Sequence, residues 1–286
     1  MRIVTWNMAF WSHRAAHERA WHWFLKTLQP DIALCQECVP PNWVWKEWTV
    51  FWDKAAPDSK QSWGTALVTQ LPANSTRLLE LDLWLAQLPD RIPGKNELAG
   101  IHKADGWLAT VEINIPFIGP TLVVSVHNPF YPIERERLKG IDISSMKLKK
   151  NKDLWFLDVL FYFLREHLGS RLIVGGDFNY SRLLDELYGE RGNREFFDRI
   201  SDEGFISFHR LFHEADEQTF FKKGGMEHQL DYLYGDSPVA SYVLSCEVVP
   251  YIQVKELSDH APLIANFSSK PILQKKTRSL MRKNCF

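Results

Sequence analysis

Six places in this 286-residue chain put a polar, reactive side chain at the end of, or inside, a short apolar run. Asn7 follows Ile3–Trp6, Gln36 and Glu37 follow Ile32–Cys35, and His127 and Asn128 follow Leu122–Val126. Asp177, Phe178 and Asn179 follow Leu172–Val174 through two glycines. Asp231 interrupts Leu230–Leu233, and Asp259 and His260 lead into Pro262–Phe267. A buried strand holds its end rigid while the adjoining loop leaves it accessible, which is why reactive groups gather there. Six such ends, all drawn from Asn, Glu, His and Asp, point to one shared site.

The residue types narrow the chemistry. Glu37 and Asp259 offer hard carboxylate oxygens, and Asn7 offers an amide oxygen that can bind a cation directly or through water. Such a set suits Mg²⁺, with Mn²⁺ as a substitute, better than a zinc cage of His and Cys. Asp231 beside His260 would fix the imidazole tautomer and favour its charged form, as in a general base or transition-state stabiliser. No phosphate-cradling glycine loop, nucleophilic serine elbow or catalytic cysteine pattern is present. The chemistry implied is metal-assisted hydrolysis.

The elements that must position these groups are short and mostly strands. Besides the runs above, Val50–Trp52, Ala66–Thr69, Leu108–Ile113 and Cys246–Val249 read as β-rich. Three helices are expected. In His13–Leu28, Ala16, Ala20, Trp23, Phe24 and Thr27 share a face and Pro30 ends the segment. Asp153–Leu168 is apolar on most sides, and Glu195–Asp202 follows Asn193 as N-cap. Many strands with few helices predict stacked sheets flanked by helices. Pro89–Asp105 and Ile133–Lys152 read as long loops, the second a solvated, charged one.

Composition excludes other classes. The chain carries 34 Lys plus Arg against 35 Asp plus Glu, and the six bases of residues 270–286 have no acid among them. Residues 1–269 therefore hold 28 bases against 35 acids, a net of −7, which excludes a nucleic-acid-coating polycation. The division expected is a catalytic domain at 1–269 and a basic, solvated tail at 270–286. No secretory signal or membrane-spanning run is expected, and four cysteines are too few to staple a domain of this size, so a reduced, cytoplasmic protein is expected. Cys35 and Cys38 read as small core residues, since no second pair completes a zinc site. Eleven of the twelve tryptophans lie in residues 1–107 and are read as core filling. Eight histidines outside the motifs are assigned surface or packing roles.

The chain resembles the endonuclease/exonuclease/phosphatase superfamily, which includes deoxyribonuclease I-like nucleases, AP endonucleases, neutral sphingomyelinases and inositol polyphosphate 5-phosphatases. The matching pieces run in family order over residues 2 to about 267. They are Ile3–Asn7, Pro30–Glu37, Trp63–Thr69, Val126-His127, Gly176–Asn179, Leu230–Tyr232 and Ser258–Leu263. The resemblance implies a four-layer α/β sandwich, with two mixed β-sheets packed face to face and helices outside. It also implies roles. Glu37, with Asn7 and Asp259, would hold the divalent metal. Asp177 would orient or deprotonate water, and Asn179 would hold the phosphate. His260 supported by Asp231 would act on the nucleophile or the transition state, and His127 on the phosphate or leaving group. AP endonucleases of the family usually place Tyr where His127 stands, so the histidine turns the reading toward the deoxyribonuclease I-like members. Those members back this histidine with a carboxylate, for which Asp105 is only a weak candidate. The expected activity is a metal-dependent phosphodiesterase acting on DNA or RNA. A phosphorylated small molecule or lipid head group is the alternative substrate, and a non-catalytic binding or scaffold protein the third reading. The sequence fixes no oligomeric state.

Overall fold

The computed structural model describes residues 1–54, 62–74, 106–128, 157, 160–161, 164–188, 192–221, 225 and 228–272. Among the described residues, twelve strands, numbered β1–β12 in chain order, form two sheets. One sheet has the order β11 (Val243–Val248), β12 (Leu263–Phe267), β1 (Arg2–Asn7), β2 (Ile32–Cys38), β4 (Gly64–Thr69), β3 (Thr49–Lys54). The other runs β5 (Ala73–Asn74), β6 (Leu108–Ile115), β7 (Gly119–His127), β8 (Leu172–Asp177), β10 (Asp231–Gly235), β9 (Ile206–Ser207). Each is mixed: β1–β2 and β7–β8 pair parallel, and every other pair is antiparallel.

Three buried clusters make the layers. Ile3, Ile32, Leu34, Leu67 and Leu263 of the first sheet meet Val111, Val123, Ile173 and Leu233 of the second in a central core. The outward residues Val4, Trp6, Ala33 and Cys35 pack under the helical segment Phe10–Leu28. On the far side Val124, Val126, Val174 and Tyr232 meet Phe196, Phe197 and Ile200 of the helix Gly192–Asp202. Leu157, Leu160, Phe161 and Leu164, helical and buried at one-face spacing, cover the same side. The expected four-layer sandwich is what forms.

All ten expected strands are present. The helices differ in detail. Phe10–Leu28 is an α–3₁₀–α–π succession, and its buried face is Ala16, Ala20, Trp21, Phe24, Leu25 and Leu28. Thr27 is exposed and Trp23 only half-buried, because Trp21 and Leu25 offer more apolar area to the sheet. Asn193 lies inside its helix, not at the cap. The orphan N–H groups of Asn193 and Arg194 are satisfied by the Asp185 carboxylate, from the helix Arg182–Tyr188. Short strands β5 and β9 and the helix Asn42–Glu47 carried too little pattern to be anticipated.

Trp6 and Trp21 fill the core as expected, and Trp23, Trp43, Trp48 and Trp52 lean on it. Trp11 and Trp45 do not; they are 66% and 47% exposed. Cys35, Cys38 and Cys246 are free and buried. No helix among the described residues is long and apolar enough to cross a membrane. Residues 89–105 with Asp105, 133–152, half of 153–168, and 273–286 with five of the six tail bases lie outside the described residues.

Candidate active site

Strand alternation decides which side chains meet. On β1, Val4 and Trp6 face the helices, so Thr5 and Asn7 face the second sheet. On β7 and β8, Val124, Val126, Leu172 and Val174 face outward, leaving His127 and Asp177 turned to the first sheet. Register then lines them up: His127 pairs with Asp177, and Asp177 with Asp231. Gly176 permits this close pairing, since a Cβ there would sit 1.8 Å from the Val126 carbonyl oxygen at φ +152°.

Glu37 needs a device of its own. Simple alternation would send it outward with Ala33 and Cys35. An irregularity between Cys35 and Cys38, with Glu37 at φ 45°, re-aims its carboxylate into the seam between the sheets.

The contacts are short and shared. Asn7 Nδ2 donates to Asp177 Oδ2 at 2.8 Å and to Glu37 Oε1 at 3.2 Å. His127 Nε2 lies 3.4 Å from Glu37 Oε1 and 3.9 Å from Asp177 Oδ2. His260 Nδ1 meets Asp231 Oδ2 at 2.8 Å, and its Nε2 lies 4.0 Å from Asp177 Oδ2. The Asn179 backbone N–H closes a turn onto Asp177 Oδ1 at 2.8 Å, and its side-chain amide donates to the Asn128 carbonyl at 2.7 Å. Two three-residue groups with metal-ligating atoms result, Glu37–His127–Asp177 and Asp177–Asp231–His260, joined at Asp177.

Burial and charge compete here. Burial lowers the pKa of His260, but Asp231 and Asp177 more than reverse it and hold the imidazole up at about 10. Burial raises Asp177 to about 6; His260 pulls it down while Asp231 pushes it up. Burial also works against charge on Glu37 and His127. Their mutual contact wins, lowering the carboxyl and raising the imidazole. The seam therefore sets two imidazoles, both raised above their ordinary value, among the carboxylates of Glu37, Asp177 and Asp231.

Of the eight sequence-predicted residues, Asn7, Glu37, His127, Asp177, Asp231 and His260 converge, and Asn179 stands beside them. Asp259 belongs to neither three-residue group; its charge is felt by Tyr251 and His260. Asn7 engages differently from expectation. Its amide oxygen accepts the Ala9 N–H at 2.9 Å, so its nitrogen, not its oxygen, faces the carboxylates. Among the described residues, the carboxylates nearest His127 are Glu37 and Asp177, and Asp105 lies outside them.

Several neighbours had been given no role of their own. Trp63 sets its ring edge-on to His127 at 5.2 Å, and Phe220 tilts over His260 at 4.9 Å. The Ser258 hydroxyl donates to the Asn7 carbonyl and accepts the His260 N–H, tying two site residues together. Gln36 Nε2 reaches Ser125 Oγ at 3.0 Å, a polar tie between the sheets directly beneath the site.

Comparison with known proteins agrees with this architecture. The model of the Endonuclease/Exonuclease/phosphatase family matches residues 4–260. No curated protein matches by sequence. Among solved structures, a 3′ phosphatase (NExo) from Neisseria, bound to product DNA hairpin, superposes with a TM-score of 0.65 at 19% identity, covering 94% of this chain and 99% of its own. An AP endonuclease from Archaeoglobus fulgidus gives 0.65 at 18%, with the same coverage. The APE2 catalytic domain of Xenopus laevis gives 0.62 at 18%, covering 96% of this chain and 94% of its own. At these identities the likeness shows the fold.

Proposed function

The chain belongs to the endonuclease/exonuclease/phosphatase family, and from that premise we propose that it is a divalent-metal-dependent phosphodiesterase that hydrolyses nucleic acid. One observation carries the reading. Glu37, His127, Asp177, Asp231 and His260, distant in sequence, meet at one end of the seam between the sheets. Structural neighbours described as a 3′ phosphatase with DNA and as AP endonucleases support nucleic acid as the substrate class.

The residues fit a hard cation. Glu37 Oε2 and Asp231 Oδ1 are buried with no hydrogen-bond partner, a costly arrangement that a cation would relieve at Glu37. Glu37, with Asp177 beside it and Asp259 as a further carboxylate, would hold Mg²⁺, or Mn²⁺ in its place. Bound there, the ion supplies Lewis-acid polarisation of a phosphate oxygen and offsets the carboxylate field.

The chain's own groups divide the remaining work. Asp177, raised toward neutrality by burial, orients the attacking water and takes its proton as the new P–O bond forms. His260, fixed by Asp231 as a cation, offers Nε2–H to the charge that develops on phosphorus-bound oxygen; it stabilises the transition state and is not the base. Asn179 has one amide N–H on the Asn128 carbonyl and keeps the other for the phosphate. His127, whose pKa the Glu37 contact raises against the effect of burial, gives its proton to the leaving oxygen as the old P–O bond breaks.

The test is a substrate panel with Mg²⁺ or Mn²⁺: supercoiled DNA, single-stranded DNA, RNA, sphingomyelin and inositol phosphates. Asp177→Ala and His260→Ala variants run alongside. Nucleic-acid cleavage lost in both variants is the expected result. Phosphate or head-group release from a small substrate, with nucleic acid left intact, would overturn the substrate class. No turnover on any member would overturn the enzyme reading.

A further inference from the structure

Exposed apolar side chains gather at one end of this molecule. Among the described residues seven large ones are exposed, and five of them, Trp11, Trp45, Leu183, Leu187 and Ile252, lie on segments at the active-site end of the strands. Trp11 comes just after Asn7 on the chain and Trp45 after Glu37, while Leu183 and Leu187 sit on the helix that follows Asp177. Ile252 lies in the turn after β11, whose last residue Val248 pairs with Leu263, itself paired with Thr5. Clustered apolar exposure marks a contact surface, whereas scattered exposure does not.

Charge divides this rim. Residues 8–28 and 39–48, which carry the two tryptophans, hold four bases (Arg14, Arg19, Lys26, Lys46) against two acids (Glu18, Glu47), a net of +2. Lys26 and Glu47 pair with each other, so the balance rests on Arg14, Arg19 and Lys46, all exposed. Arg182–Tyr188 has Arg182 against Asp185 and Glu186, and residues 251–259 have Lys255 against Glu256 and Asp259, a net of −1 each. Of these sides only the tryptophan side suits a polyanion. Resting on the reading of the site as that of a nuclease, we propose that Trp11 and Trp45 are stacking platforms for the unpaired bases of a single-stranded nucleic acid leading to the active site.

Both tryptophans stand on segments fixed to the site. Asn7 Oδ1 accepts the Ala9 N–H at 2.9 Å, and Ala9, at φ 44°, turns the chain so that the Ser12 and His13 N–H groups close on its carbonyl at 3.0 and 2.9 Å. Trp45 Nε1 donates to the Pro40 carbonyl at 3.2 Å, which holds the indole. His17 joins the two segments: Phe10 packs on its ring in a T-shaped pair at 4.7 Å, and the Val39 N–H donates to its Nε2 at 3.0 Å. The Arg14 guanidinium lies over the Phe10 ring at 5.6 Å, placing a cation on the Trp11 turn. Among the described tryptophans only these two are exposed. An indole face stacks on any unpaired base, whereas in a duplex those faces already cover one another. A bilayer pressed on this end would also meet the exposed acids Glu186 and Glu256, which oppose an anionic surface.

The experiment uses the full chain carrying Asp177→Asn, so that a bound strand stays intact, and reads the affinity of a labelled oligothymidylate in Mg²⁺ by fluorescence anisotropy. Trp11→Leu and Trp45→Leu should each weaken binding roughly fivefold or more, with circular dichroism unchanged, and Trp11→Phe and Trp45→Phe should retain most of the affinity. An abasic strand of the same length should bind more weakly and be indifferent to all four changes. Leu187→Ala, on the acidic side of the rim, should leave binding unchanged. Leucine variants that bind the oligothymidylate like their parent, or lose duplex and abasic strand equally, would overturn the platform, as would tryptophan-dependent binding to phosphatidylserine vesicles in place of the strand. If the chain with Asp177 intact still cleaves nucleic acid in that case, the nuclease reading survives the loss of the platform. Absence of both binding and cleavage would overturn the two together.

Discussion

His17 and His260 are equally buried, each 5% exposed, yet they sit at opposite ends of the imidazole range. His17, on the helical segment over the first sheet, is lowered to about 4, chiefly by burial. Trp21 Nε1 and the Val39 N–H both donate to its Nε2 at 3.0 Å, so its environment is built around a neutral ring. His260 is held up at about 10 because Asp231 and Asp177 face it. Burial alone makes a histidine inert packing; burial beside carboxylates makes it a fixed cation in a low-dielectric site. The difference separates scaffold from active site more sharply than residue type does.

The strongest way to break that distinction is Asp177→Asn, which removes the proposed proton acceptor and the carboxylate shared by both seam groups. It should lower kcat by roughly 10³-fold or more, with circular dichroism and Tm showing a folded protein. His260→Gln, which replaces the fixed cation with a neutral donor, should cost about 10²- to 10³-fold in kcat in the same cleavage assay. Unchanged turnover in either variant would remove the seam from the chemistry.

Asp231→Asn sharpens the comparison instead of breaking it. Without its carboxylate, His260 should move toward the behaviour of His17, its pKa falling from about 10. A loss of roughly 10- to 100-fold is expected in kcat, larger at pH 8 than at pH 6, because the neutral fraction of His260 grows with pH. A parallel loss at both pH values would assign Asp231 to shape alone.

The smallest effect belongs to His17. Its folded pKa lies below the unfolded value of 6.5, so the unfolded chain binds the extra proton first. Stability from this group is complete above pH 6.5 and is lost as pH falls from 6.5 to about 4, on the order of 2–3 kcal/mol. Urea unfolding of the wild type and His17→Gln across that window should show the difference, with the variant's profile flatter.

The same contrast explains what was legible in the sequence. The strands were, because Ile3–Trp6, Ile32–Cys35 and Leu122–Val126 are apolar runs that nothing but a covered sheet accommodates. The polar ends were legible because Asn7, Asp177 and His260 stand at the ends of such runs. The aim of Glu37 was not: it depends on an irregularity facing β4, a partner some 30 residues away. The cap supplied by Asp185 and the ring of Phe220 are likewise tertiary facts, with no local pattern to announce them.

The central claim is that carboxylates at the seam keep His260 charged while an equally buried histidine elsewhere stays neutral. Imidazole ¹⁵N NMR of the wild-type protein, titrated from pH 4 to about pH 10.5, reads both rings in one sample. The expected result is a His260 ring protonated on both nitrogens through pH 8 and a His17 ring neutral down to about pH 5. A His260 that loses its proton near 6.5 or below would contradict the account.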